Sequence, residues 1–206
     1  MNVILAIAII FILVIINEIW WRRVKRHSEI SRKLVHILVG SFVAFWPYIM
    51  STNYIRLLSL SFLVVILTSL KFNIFKSIHS VSRNSLGEIY FALSVGLITF
   101  INPSHIVYTI ALLNMSLADG LAALVGTYYG MNRKYKVYGR TKTVLGSLTF
   151  FIVSLLLILI FVDNTGHSFN LLYVVLAGGL TLIENISPTG MDNLLVPLVT
   201  ALFLSV

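Results

Sequence analysis

Residues 144–162 read VLGSLTFFIVSLLLILIFV, an apolar run without one charged side chain. Wound as a helix at 1.5 Å per residue, this run reaches about 28 Å, close to the roughly 30 Å thickness of a hydrocarbon core. A surface helix of a soluble protein would interrupt it with a polar stripe every third or fourth position, and none is present. Working outward in both directions, similar apolar segments recur at about 3–20, 34–50, 54–71, 88–102, 105–130, 168–185 and 192–206. The chain as a whole is 58% hydrophobic and 11% charged, with a mean hydropathy of +0.97. A soluble domain cannot carry that much apolar surface, because its outer shell must face water. A cleaved signal peptide would supply one such run before a polar chain, not eight. Connections are short, and there is no internal repeat or low-complexity tract. Residues 1–206 therefore read as a single integral-membrane domain: an all-α, polytopic transmembrane helical bundle of seven or eight spans.

Charge orders the segments. The net charge of +8 comes from 15 basic and 7 acidic residues. Every basic residue except Arg56 falls in one of three alternate loops: Arg22–Lys33, Lys71–Arg83 and Arg133–Lys142. Lys and Arg collect on the cytoplasmic side of membrane proteins, so this asymmetry predicts those loops inside and the N-terminus outside. The protein is thus expected to be multi-pass, in the cell membrane if the source is prokaryotic. Trp20 and Trp21 read as an interfacial anchor. The basic run after them reads as a topology signal with secondary contact to anionic membrane lipids. No basic domain stands outside the membrane segments, so nucleic acid is not an expected partner. The chain has no cysteine, which excludes disulfides, thiolate metal sites and cysteine nucleophiles.

Ionisable groups at bilayer depth are costly, and they mark function or pair with one another. Asp119 lies about eleven residues before the helix end expected at Gly130, roughly 16 Å deep. A carboxylate there needs a water-filled cavity, a cation or a partner; the structural alternative is an ion pair with a basic side chain. Ala118, Ala122, Gly126 and Gly130 form a small-residue stripe beside it, which reads mainly as close helix packing. Arg32 and His36 share a helix face at the start of the second segment. Glu88 opens the fourth segment, Lys142, Gly146 and Ser147 open the sixth, and Glu184, Asp192 and Asn193 occupy the last polar break. The groups from Arg32 and His36 through Glu88 and Lys142 to Asn193 all fall at the ends assigned to the cytoplasm. Carboxylates together with basic groups suit Mg²⁺ and an anionic, phosphorylated ligand. Neither a Walker loop nor a kinase-type glycine-rich loop is present.

Five stretches, in this order, resemble the polyprenol kinase family, which includes dolichol kinase, phytol kinase and the CTP-dependent diacylglycerol kinase of yeast. They are Arg32–His36 (RKLVH), Gly87–Phe91 (GEIYF), Leu117–Gly126 (LADGLAALVG) with Gly130, Lys142–Ser147 (KTVLGS), and Glu184–Pro188 (ENISP) with Asp192–Leu198 (DNLLVPL). The resemblance implies transfer of the terminal phosphate of a nucleoside triphosphate, commonly CTP, to an isoprenoid or other lipid alcohol. It implies Asp119, Lys142 and His36 as catalytic residues, and Asp119, Glu184 and Asp192 as ligands of Mg²⁺. It further implies Arg32, Lys33, Arg140, Lys142, Gly146, Ser147 and Asn193 as nucleotide-binding residues. Leu145 stands where many dolichol- and yeast-type members carry Glu; phytol-kinase-like members often lack that Glu too, which points to shorter prenols and leaves CTP or UTP open. The rival expectations are a phosphatidate cytidylyltransferase-like enzyme and a small transporter, the latter disfavoured by the lack of an inverted repeat.

Overall fold

The computed structural model describes residues 5–10, 12, 15–16, 28–72, 86–130 and 132–206, without the side chains of residues 28–32 and 70. Among them the helices are α1 (Ser28–Ala44), α2 (Thr52–Phe72), α3 (Gly87–Ile101), α4 (His105–Leu113), α5 (Asp119–Tyr129), α6 (Val144–Thr165), α7 (Leu171–Ile186) and α8 (Asp192–Leu204). A π turn, Asn114–Ala118, joins α4 to α5 without a break. The spans Thr52–Ser69, His105–Tyr129 and Val144–Thr165 are long and apolar enough to cross a membrane. Four other apolar helices, Lys33–Tyr48, Gly87–Ile101, Leu171–Ile186 and Asp192–Leu204, are shorter. The expected segments thus resolve into three full-length helices, four shorter ones and a first segment that lies largely outside the described residues.

Polar residues punctuate these helices. Ser104 accepts from the Val107 amide at the start of α4, Thr143 from Gly146 at the start of α6, and Asn170 from Leu172 at the start of α7. Each satisfies one of the orphan amides of a first turn. Asn102 and Gly166 end α3 and α6 in the left-handed conformation. Arg56, the basic residue outside the three loops, donates from Nε to Thr99 Oγ1 and from Nη2 to the Thr99 carbonyl, both at 2.9 Å. It also lies over the Phe100 ring. Its charge is spent on the C-terminal carbonyls of α3, where a cation complements the helix dipole.

The α6 helix shows how burial is divided. Leu148, Ile152, Leu156 and Ile160 face outward at spacing four, while Phe150, Ser154, Leu157, Ile158 and Phe161 are buried. A stripe of large apolar side chains facing outward is what lipid tails would cover. The buried side packs on α4, α5 and α7. Close approach elsewhere depends on two glycines. A Cβ on Gly40 would lie 2.3 Å from Ser116 Cβ, and one on Gly120 would lie 2.2 Å from Ile37 Cγ1. Nothing larger fits where α1 crosses the π turn and the start of α5.

One element departs from the all-α expectation. Lys134–Val137 and Arg140–Thr143 pair as an antiparallel hairpin, β1 and β2, inside the third basic loop. Tyr138 and Gly139 form its tip, both at positive φ (45° and 76°). That is the backbone of the two-residue turn whose twist matches paired strands. Tyr135 stands opposite Lys142 and Val137 opposite Arg140. These four are half-buried on one face, and Lys134, Lys136 and Thr141 are exposed on the other.

Candidate active site

The most buried carboxylate among the described residues is Asp119, at the first residue of α5 and 5% exposed. The packing of Gly40 and Gly120 brings the first turns of α1 against it. Lys33 Nζ donates to Asp119 Oδ2 at 2.5 Å, and His36 Nε2 lies 3.7 Å from the same oxygen. His36 Nε2 also donates to the Met115 carbonyl at 3.1 Å. That carbonyl belongs to the π turn, whose wider winding alters the helical hydrogen-bond ladder, a feature concentrated at functional sites. The proton therefore sits on Nε2, because a carbonyl only accepts. The Phe91 ring of α3 meets the imidazole edge-to-face at 5.7 Å and fixes its plane.

The other half of the cluster comes from the break between α7 and α8. Glu184 lies in the last turn of α7 and Asp192 is the first residue of α8, with Pro188–Gly190 turning the chain between them. Lys142 of the hairpin donates to both the Glu184 carboxylate and, at 3.1 Å, the Glu184 carbonyl. Arg140 donates from Nη1 to the Ser187 carbonyl at 3.1 Å. Tyr135 donates to Asn185 Oδ1 and stands 2.5 Å from both that oxygen and Ser147 Oγ, and Ser147 donates to the same oxygen at 2.9 Å. Three hairpin side chains thus clamp one helix end. Asn193 ties the opposite side by donating to the Gly87 carbonyl at 3.0 Å.

Carboxylate oxygens of Asp119, Glu184 and Asp192 all lie within 4.8 Å of one another. Three like charges in so small a space repel, and nearby cations offset that repulsion. Lys33 and Lys142 supply two, leaving one formal negative charge and leaving Asp192 Oδ1 buried with no hydrogen-bond partner among the described residues. A hard dication bound through carboxylate oxygens fits both the oxygen-only donor set and the orphaned atom.

The chain is 34% identical over 183 residues to the phytol kinase of Synechocystis sp. (strain ATCC 27184 / PCC 6803 / Kazusa), covering 85% of this chain and 78% of that protein. The chain belongs to the polyprenol kinase family. No protein-family model matches it, and no solved structure does.

Within this member of the family, residues expected from four of the five stretches converge. Asp119, Glu184 and Asp192 form one cluster with Lys33, His36 and Lys142 around it. Arg140, Ser147 and Asn193 bond to the segments that frame it. The ion pair anticipated as the structural alternative for Asp119 does exist, with Lys33, but two further carboxylates crowd the same pair. Gly146 serves packing: a Cβ there would lie 3.0 Å from the Ala122 carbonyl and 3.5 Å from Gly126 Cα, so α5 and α6 touch backbone to backbone. The Ala122–Gly126 stripe is therefore the helix-packing seam expected of it. Glu88 is not a member of the triad. The Arg32 side chain lies outside the described residues, as do Arg22–Arg26, Lys76 and Arg83. Tyr135 and Asn185 were not anticipated, although Asn185 adjoins Glu184 in the same motif.

Proposed function

We propose that this chain is a lipid-alcohol kinase that transfers the terminal phosphate of CTP, or of another nucleoside triphosphate, to the hydroxyl of a membrane-embedded prenol such as phytol, geranylgeraniol or dolichol. The carrying observation is the convergence of Asp119, Glu184 and Asp192 with Lys33 and Lys142 in one buried cluster. The relative that phosphorylates phytol supports the same reaction class. Phosphoryl transfer asks little covalent chemistry of a protein; it asks for positioning and for positive charge where negative charge spreads. The acceptor oxygen attacks the γ-phosphorus in line, the bond to the bridging oxygen breaks, and the nucleoside diphosphate leaves. The hydroxyl proton passes to a carboxylate of the cluster, Asp119 being the one faced by both Lys33 and His36. Lys33 and Lys142 offset charge on the phosphates, and Arg140 adds a third cation from the hairpin. Mg²⁺, where bound by Asp119, Glu184 and Asp192, would supply further charge neutralisation.

The basic loops orient the cluster toward the cytoplasm, where nucleotides are abundant, with the N-terminus outside. Purified protein, γ-labelled CTP, UTP or ATP, and an acceptor panel of prenols and diacylglycerol test the reading. Label in a phosphorylated alcohol, abolished by EDTA and restored by Mg²⁺, is the expected result. No lipid label with any pair refutes it. Lipid label from α-labelled CTP instead identifies a cytidylyltransferase.

A further inference from the structure

A cavity of about 220 Å³ runs between α1, α2 and α3, closed in part by Ile7 and Ile10. It is far larger than the roughly 10–15 Å³ one water needs, and its wall is almost wholly apolar. Apolar cavities stay dry and take up hydrocarbon rather than water. Its orientation follows from two antiparallel contacts between α2 and α3. Arg56 meets Thr99, and a Cβ on Gly96 would touch Ser59. Ser69 therefore falls level with the first turn of α3, where Glu88 also lines the cavity. One end is thus marked by Ser69 and Glu88, and the other by Trp46, Leu58 and Val95.

The polar end adjoins the carboxylate cluster from two directions. Phe91 lines the cavity and packs on His36, which stands 3.7 Å from Asp119. Glu88 follows Gly87, whose carbonyl accepts from Asn193, next to Asp192. Ser69 Oγ, 4% exposed, has no hydrogen-bond partner among the described residues, and Glu88 is in no ion pair among them. A ligand with one hydroxyl at the end of a hydrocarbon chain matches both ends of this cavity.

We infer that the cavity between α1, α2 and α3 holds the isoprenoid tail of the acceptor alcohol, with its hydroxyl end emerging past Ser69 and Glu88 toward the carboxylate cluster and Trp46 setting the depth. The inference rests on the kinase reading and adds a length limit to it. From Leu58 to Ser69 the cavity wall rises roughly 16 Å at 1.5 Å per residue. An extended carbon chain advances about 1.25 Å per atom, so about thirteen main-chain carbons fit. That is between three and four isoprene units; longer tails must leave sideways past the exposed Ser61 and Val65. Moving a tail from lipid into an apolar slot gains little hydrophobic energy. What the slot supplies is registration, holding the hydroxyl at one depth and angle beside the phosphate.

Two measurements on the full chain in detergent micelles test this. The first is kcat/KM for a twenty-carbon prenol relative to a ten-carbon prenol, with and without Val95→Phe, which fills the far end. The ratio is expected to exceed ten in the native chain, to stay flat for longer prenols, and to fall at least fivefold in the variant. An unchanged ratio, or equal loss on both acceptors, overturns the inference. The second uses native protein and a fifteen-carbon prenol, whose roughly twelve main-chain carbons fit the slot, with a photoreactive diazirine at its terminal carbon. Cross-links at Trp46, Leu58 or Val95 are expected; cross-links only on the outer face of α6, or none, overturn it. Because cross-linking needs no phosphate transfer, cross-links in the cavity with no acceptor phosphorylated sink the kinase reading alone. Phosphorylation with cross-links elsewhere sinks the cavity assignment alone.

Discussion

Asp119→Asn separates a catalytic carboxylate from a lysine counter-ion, and the structure sets its size. Across 2.5 Å the Lys33–Asp119 attraction is about 6–7 kcal/mol at an effective dielectric constant of about 20. Desolvation offsets most of that in a pair whose side chains are only 16% and 7% exposed. Asn keeps an oxygen that accepts from Lys33 but gives up the charge. Losing a charge-assisted hydrogen bond of about 1.5–3 kcal/mol at the reacting centre lowers kcat/KM roughly ten- to 150-fold. The substitution also removes the carboxylate to which Lys33 Nζ donates, so thermal stability is expected to drop. Lys33→Met added to Asp119→Asn removes both members of that pair and is expected to restore the melting temperature without restoring phosphate transfer. Kinetics with γ-labelled nucleotide and thermal unfolding in detergent read the two effects separately. Recovery of activity in the double variant would refute the reasoning, because Asp119 would then act only as a partner for Lys33.

Three further outcomes follow from other contacts. Lys142→Gln removes the cation bonded to the Glu184 carboxylate and carbonyl, and is expected to reduce kcat/KM for the nucleotide at least tenfold; steady-state kinetics at varied nucleotide check it. Tyr135→Phe deletes the hydroxyl shared by Asn185 and Ser147, at a cost of about 1 kcal/mol per bond, and should raise the nucleotide KM more than it lowers kcat, with protease cutting faster in the hairpin. Gly40→Leu forces a side chain into Ser116 Cβ and separates α1 from the π turn; overpacking of about 1–3 kcal/mol should show as a lower melting temperature together with lost activity, since Lys33 and His36 move with α1.

Helix positions were legible wherever hydropathy and the helix end coincide. The expected 88–102 and 105–130 are Gly87–Ile101 and His105–Tyr129 in the structure. The second segment was placed too late. Its first turns, Ser28–Lys33, are polar and basic, and an apolar window finds bilayer depth rather than the first helical residue. The hairpin was hidden for a related reason. KYKV and RTKT alternate in burial, but their lysines and arginine read as a topology signal. The tip is Tyr138-Gly139 rather than the Asn-Gly or Asp-Gly that usually betrays such a turn. The π turn left no mark that periodicity could find, because it changes the phase of one helix by a single residue. Without it, Met115 would not offer its carbonyl to His36. Site membership was legible through chemistry: Lys33, His36, Asp119, Lys142, Glu184 and Asp192, singled out as ionisable groups at or near segment ends, meet in the cluster, whereas Glu88 lines the cavity instead.

The ligand-free pairing explains how a cluster this buried can remain exchangeable. Breaking either lysine–carboxylate pair outright would strand a charge at a cost of about 3–5 kcal/mol. Replacing both partners at once does not. In the proposed reaction, lysines released from Asp119 and Glu184 would meet phosphate oxygens, and a dication held by the three carboxylates would supply their opposite charge, so each charge would keep an opposite neighbour. Intact pairs contribute little net stability, so the exchange starts from a shallow minimum. The formal charge of the cluster, one negative before ligands arrive, favours the cation first.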